Sequence, residues 1–147
     1  MENHDVDPMT VIAEARAAVA DRLVTPWWYH PILGLLLAGY VVGLSFGGTL
    51  FRAITVVVFV LACFALMQAY RRLTGVWISG FEAGRASRWA QALSALAVVT
   101  LGAGWGIAYV SDLAWPVWVL AAVAFIGTIV LGRQFDIALR AQLRAGA

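Results

Sequence analysis

The chain has 147 residues, of which 63% are apolar and only 12% are charged, whereas an ordinary soluble domain has about 25% charged residues. This composition excludes an ordinary water-soluble domain and favours a protein embedded in lipid. The formal net charge of +2 is too small to indicate nucleic-acid binding, and the single cysteine, Cys63, excludes an intrachain disulfide and a CxxC redox motif.

A polar segment, residues 1–26, precedes the first long apolar run. Asp7 followed by Pro8 is typical of a helix N-cap and first helical position, and Pro26 marks the end of that helix. Its apolar residues fall roughly on one face. They are Met9, Ile12, Val19 and Leu23. We therefore expect an N-terminal amphipathic helix that lies at the membrane surface.

Four apolar runs of about 20 residues follow, and at 1.5 Å per residue each matches a hydrocarbon core of about 30 Å. The predicted spans are 27–46, 50–70, 89–110 and 113–132. Because a helix satisfies its own backbone groups in lipid, the fold class is all-α and residues 27–132 form a four-helix transmembrane bundle. The very short links "GGT" and "SD" predict two antiparallel hairpins.

We predict that the last segment, residues 133–147, continues the fourth helix. Phe135, Leu139 and Leu143 recur every four residues, so they share one face of a helix. Asp136 and Arg140 have the spacing of a helical ion pair. We expect a cytoplasmic amphipathic tail.

The orientation follows from the arginines. Nine of them flank the predicted spans on one side, and only Arg52 lies on the other. The positive-inside rule therefore places both termini and the central connection in the cytoplasm. All ten basic residues are arginine and none is lysine, which is typical of a GC-rich bacterial genome and indicates a bacterial inner membrane.

The central connection is the main candidate for a functional surface. Ser79 and Glu82 have the spacing of a capping box, which predicts that the third spanning helix begins near Gly80. The structural interpretation assigns the nearby arginines and Trp77 to membrane anchoring. The functional interpretation is a cytoplasmic face that binds anionic lipid headgroups, an anionic ligand or a partner protein. Its candidate residues are His30, Arg71, Arg72, Trp77, Glu82, Arg85 and Arg88.

Catalytic, cofactor and metal sites are not predicted. No second ligand stands at a credible spacing from His30, and no phosphate-binding GxxxxGK[ST] motif is present. Glu82 and Asp136 both fall on the cytoplasmic side, where with His30 they could form a small polar site. That possibility is the only enzymatic interpretation that the sequence supports.

Glycines at four-residue spacing mark candidate helix-packing faces. They are Gly39, Gly43 and Gly47 in the first span, and Gly102 and Gly106 in the third. Such stripes let helix backbones approach closely in lipid. Packing of the two hairpins is the simpler use, and formation of a homodimer through the first-span stripe is the alternative.

The interiors of the spans contain no ionisable residue other than Cys63 and the tyrosines, although proton-coupled transporters and pumps normally keep a charged one there. The sequence therefore favours a non-enzymatic membrane protein of structural or regulatory role, presenting a basic face to lipid or to a partner membrane protein. The alternatives are a small dimeric transporter or facilitator of a neutral or apolar solute, and a membrane enzyme using His30, Glu82 or Asp136.

Overall fold

The computed structural model describes residues 8–22, 25–74, 84–110 and 114–145. Within these ranges 93% of the residues are helical and none lies in a strand, so the all-α prediction is confirmed. In chain order the elements are α1 (Pro8–Arg22), α2 (Tyr29–Ser45), α3 (Thr49–Thr74), a 3₁₀ turn (Gly84–Ala86), α4 (Ser87–Val110) and α5 (Trp115–Ala145).

Three of the helical segments are long and apolar enough to cross a membrane. They are Thr49–Leu73, Gly84–Ile107 and Trp115–Ala145. The remaining long apolar helix, α2, has 17 residues, and its length of about 25 Å is slightly less than the thickness of a hydrocarbon core. The molecule is thus a helical protein whose apolar helices are compatible with membrane spans.

The helix α5 lies at the centre of the packing. The most extensive interface joins α2 to α5, the next joins α4 to α5, and α1 also packs against α5. The core that results is small and combines Leu37 and Val41 of α2 with Val117 and Ala124 of α5.

The buried face of α5 consists mainly of small residues. Ala121, Ala124, Thr128 and Gly132 are all buried and are spaced three or four positions apart, so they form one stripe along the helix. Small side chains allow the backbones of neighbouring helices to approach closely, which is the main source of packing energy between helices in lipid.

The helix α3 is peripheral, and its main packing partner is α2. Only 6% of its most apolar window is buried. Its large exposed apolar side chains are Leu50, Phe51, Ile54, Val56, Val57, Val58, Val60, Leu61, Phe64 and Leu73. An apolar surface of this extent is stable only against lipid or another apolar surface.

The regular helix α4 begins at Ser87. Gly84 before it has a φ of +54°, a left-handed conformation that a continuous right-handed helix does not contain. The predicted start near Gly80 and the proposed capping box, Ser79 and Glu82, lie outside the described residues. The amide of Ala86 instead donates a hydrogen bond to Oε1 of Gln142 in α5 at 3.2 Å.

The helix α5 continues without interruption to Ala145. Its C-terminal apolar residues pack at the start of α4: Leu139 is buried against Ala86, and Phe135 and Leu143 lie beside them. The helix face predicted from the four-residue spacing therefore packs against other residues of the same chain.

Contacts between helix ends define two opposite ends of the molecule. At one end, Tyr29 of α2 lies against Tyr70 of α3 with ring centroids 4.9 Å apart, and Gln142 of α5 meets Ala86 before α4. At the other end, Phe46 of α2 lies against Trp118 of α5 at 6.2 Å. We call the first of these the basic end. Its arginines are Arg71, Arg72, Arg85, Arg88, Arg133, Arg140 and Arg144.

Candidate functional site at the basic end

A histidine and an aspartate meet at the basic end. Nε2 of His30, in the first turn of α2, lies 2.7 Å from Oδ2 of Asp136 in α5. The two residues are 106 positions apart in the chain, and their side chains are 10% and 18% exposed. With a proton on Nε2, the imidazole N–H donates to the carboxylate. A hydrogen bond to an ionised group is stronger than one between neutral groups, so this contact ties α2 to α5.

The imidazole of His30 fits because position 132 of α5 has no side chain. A Cβ on Gly132 would lie 2.6 Å from Cε1 of His30, closer than non-bonded atoms approach. Gly132 and Asp136 are four residues apart on one helix face, so one provides space for the ring and the other provides its partner. The second ring nitrogen, Nδ1, is buried and has no hydrogen-bond partner among the described residues.

A cavity of about 180 Å³ adjoins the pair. It is lined by residues of the linker before α2 and of α2 to α5. They are Thr25, Tyr29, His30, Leu33, Tyr70, Ala90, Leu93, Gly132, Phe135 and Asp136. The Tyr29 ring meets the His30 ring edge-on at 5.4 Å. The lining therefore combines polar side chains with apolar ones.

The arginines of the basic end lie at the same end of the molecule as this site. Arg71 and Arg72 end α3, where cations interact favourably with the helix dipole. Arg85 and Arg88 lie on either side of the start of α4 and are exposed, and the Cζ of Arg88 is 5.9 Å from the Trp89 ring centroid. Arg133 of α5 is also exposed.

The structure brings together only some of the residues that the sequence singled out. His30 and Asp136 form a direct contact, and the arginines Arg71, Arg72, Arg85 and Arg88 lie at the same end of the molecule. Trp77 and Glu82 lie outside the described residues.

The glycines of the candidate packing stripes have different surroundings. A Cβ on Gly43 would lie 2.7 Å from Oγ1 of Thr55 in α3, so this glycine allows a close approach of α2 and α3. Gly47 occupies the turn after α2 with a φ of +106°. Gly39, Gly102 and Gly106 face open space, since a Cβ added at any of them would have no described atom within 4 Å. Packing or homodimerisation through these three positions stays a prediction.

Sequence reasoning missed the role of Gly132. The predicted stripes consist of glycine alone, whereas the buried stripe of α5 combines alanine, threonine and glycine. Its residues are Ala121, Ala124, Thr128 and Gly132. A search for any small residue at spacings of three and four would have found it. The same search places Asp136 one turn after Gly132, on the packing face.

The described side chains of the site can form hydrogen bonds and exchange a proton. The imidazole and the carboxylate can hold or pass a proton. Among the described residues, no three His, Cys, Asp or Glu side chains lie close enough together to hold a metal ion.

No known family model matches the chain, and comparisons with curated proteins and with solved structures find no similar protein.

Proposed function

We propose that the chain is an integral protein of a bacterial cytoplasmic membrane, with α2 to α5 as four spans paired into two antiparallel hairpins. The apolar surface of α3 supports this, because its large side chains are exposed over most of its length. The 17 residues of α2 span a membrane with Trp27 and Trp28 before it and Phe46 after it, since aromatic residues extend a short span into the headgroup region.

The basic end faces the cytoplasm in this proposal. Seven arginines belong to that end, whereas Arg52 lies near the start of α3 at the opposite end. The excess of arginine on cytoplasmic segments is the usual determinant of membrane orientation. Both termini then lie in the cytoplasm.

The basic end binds anionic lipid headgroups of the inner leaflet, and the protein acts as a structural or regulatory membrane component. The observation that carries this is the exposure of Arg72, Arg85, Arg88 and Arg133 around a single end of the bundle. Each basic residue near an anionic membrane surface contributes about 1 kcal/mol of attraction. Together they form a headgroup site or a docking face for an acidic partner protein.

The test measures which lipids stay with the protein. The full chain is reconstituted in nanodiscs that contain equal amounts of phosphatidylglycerol and phosphatidylcholine, and the retained lipids are counted by native mass spectrometry after gentle activation. We expect phosphatidylglycerol to be retained preferentially, and we expect this preference to disappear when Arg72, Arg85, Arg88 and Arg133 are all changed to Gln.

Arg52→Gln is the matched control, because it removes one arginine from the opposite end and leaves the preference intact. Equal retention of the two lipids by the wild type would contradict headgroup binding. In that event, co-purification from native membranes tests the partner-protein alternative.

The contact between His30 and Asp136 supports a second candidate, a membrane enzyme in which this pair transfers a proton. In such a pair the carboxylate orients the imidazole and fixes which ring nitrogen carries the proton, and Nε2 of His30 lies 2.7 Å from a carboxylate oxygen of Asp136. The test is a comparison of total lipids from cells that express the wild type or His30→Gln. A lipid product that depends on His30 would support this function, and identical lipid profiles would exclude it for membrane lipids.

A further inference from the structure

We propose that the chain binds a single-chain amphiphile with a hydroxyl head in a slot that runs from the His30–Asp136 pair towards the middle of the bundle. The slot consists of two adjoining cavities. We call the cavity beside His30 and Asp136 the head chamber. The cavity beyond it is the tail chamber. The proposal does not depend on the arginines of the basic end.

The two chambers adjoin at two leucines. Leu33 of α2 and Leu93 of α4 line both of them. The tail chamber is a partly open groove with a volume of about 180 Å³, and Ser94 in its wall is exposed. A cavity of about 150 Å³ is large enough for a benzene molecule. Its remaining lining residues are Leu37, Phe59, Ser94, Ala97 and Thr128.

The tail chamber is chemically apolar in spite of its two hydroxyl groups. The hydroxyl of Ser94 donates to the carbonyl oxygen of Ala90 at 3.0 Å, and the hydroxyl of Thr128 donates to that of Ala124 at 2.7 Å. Both hydroxyl protons are therefore used within their own helices. The other lining side chains are hydrocarbon, so an alkyl chain is the complementary occupant.

The head chamber favours a neutral polar group. Its hydroxyl, imidazole and carboxylate side chains include both donors and acceptors, and a ligand hydroxyl can donate and accept at once. A cationic head would have to displace the imidazole from Oδ2 of Asp136, which would break the contact between His30 and Asp136. An anionic head would lie beside the carboxylate, and like charges at short range disfavour that arrangement.

The length of the slot sets the length of the chain. His30 and Leu37 are seven residues apart on α2, which corresponds to roughly 10 Å along the helix, or an extended chain of about eight carbons. An octyl compound is therefore the appropriate probe, with 1-octanol as the simplest hydroxyl-headed member.

The test is photolabelling of the full chain in phosphatidylcholine nanodiscs, which avoid the alkyl tails of detergents. The probe is 1-octanol with a diazirine on its chain. Unlabelled 1-octanol, octane, octanoate and octylammonium compete with it at equal mole fractions in the bilayer. We expect labels on residues that line the two chambers. We expect 1-octanol to compete at least about ten-fold better than the others, because only its neutral hydroxyl can donate a hydrogen bond to the Asp136 carboxylate without adding a charge to the head chamber.

Variants separate the two chambers. Leu93→Trp fills the slot where the chambers meet and should abolish the competed labelling, whereas Val98→Trp on the exposed face of α4 should not. Ala97→Leu narrows only the tail chamber and provides a second, smaller change in case Leu93→Trp does not fold. Asp136→Asn keeps the shape of the head chamber and should reduce the advantage of 1-octanol over octane.

Each other result would overturn the proposal. If octane competed as well as 1-octanol, the slot would be apolar and would have no binding site for a hydroxyl head. Stronger competition by octylammonium would indicate a cation site at Asp136, and stronger competition by octanoate would indicate binding by the arginines instead. Labelling that no competitor reduces would show only general contact with the bilayer. None of these results removes the lipid preference of the basic end, which is measured separately.

Discussion

The helices α3 and α5 are both strongly apolar, with mean hydropathies of 2.5 and 2.0 in their most apolar windows, yet they have opposite roles in the fold. The window of α5 is 28% buried within the chain, against 6% for α3. The buried stripe of α5 contains alanine, threonine and glycine, whereas the exposed surface of α3 carries valine, leucine, isoleucine and phenylalanine. Hydropathy therefore does not distinguish the central helix from the peripheral one.

In the proposed membrane setting, the difference indicates which property of a helix selects its packing partner. Lipid tails are as apolar as leucine, so burying a leucine against another helix releases little free energy in a membrane. Close backbone approach and hydrogen bonds between helices decide the packing instead. The helix α5 has both, in its small-residue stripe and in the contact of Asp136 with His30.

The largest difference should appear when the same bulky residue is added to each helix. Ala124 of α5 is fully buried, whereas Val57 of α3 is 57% exposed. Ala124→Phe should reduce the free energy of unfolding by about 3 kcal/mol, because the core has no room for the ring. Val57→Phe should change it by less than about 0.5 kcal/mol. The measurement is reversible unfolding in mixed micelles by added dodecyl sulfate, followed by circular dichroism. Equal losses for the two variants would contradict the assignment of α5 as the central helix.

Removal of the polar contact should have the next largest effect. Asp136→Ala leaves Nε2 of His30 without its 2.7 Å partner, which should cost about 2 kcal/mol. Asp136→Asn keeps an oxygen acceptor in place and should cost less. The same unfolding titration measures both variants. An Asp136→Ala protein as stable as the wild type would show that the pair does not hold α2 to α5.

The smallest effect should come from a single methyl group at Gly132. Gly132→Ala places a Cβ against the His30 ring, so the ring must move, and we expect a loss of about 1 kcal/mol. Gly102→Ala on α4 is the matched control, because its new methyl group would face open space. Higher helix propensity should make the control neutral or slightly stabilising. If Gly102→Ala lost as much stability as Gly132→Ala, the claim that Gly132 provides space for the His30 ring would be contradicted.

The helices could be predicted from the sequence because length and hydropathy act locally. The run at 50–70 corresponds to α3, and the spacing of Phe135, Leu139 and Leu143 predicted the continuation of α5. The left-handed Gly84 that precedes the regular helix α4 could not be recognised from composition. The predicted start near Gly80 lies outside the described residues.

The pairing of helices could not be predicted, because it depends on contacts between distant segments. Short links indicated which helices follow each other, but the main interface joins α2 to α5, whose contacting residues His30 and Asp136 are 106 positions apart. The sequence indicated His30 and Asp136 as candidate residues, but it contained no evidence that their side chains contact each other. The space at Gly132 that allows them to meet depends on the orientation of α5 relative to α2.

The most direct test of the contrast between α3 and α5 is spin-label accessibility in phosphatidylcholine nanodiscs. Single cysteines replace Val57 or Ala124 in a Cys63→Ala background, and collisions with oxygen, which concentrates in lipid, are compared with collisions of a water-soluble nickel complex. We expect the label at position 57 to be accessible to oxygen and not to nickel, and the label at 124 to be accessible to neither. A label at 57 that is protected from oxygen, or open to nickel, would contradict the account of α3 as the lipid-facing helix.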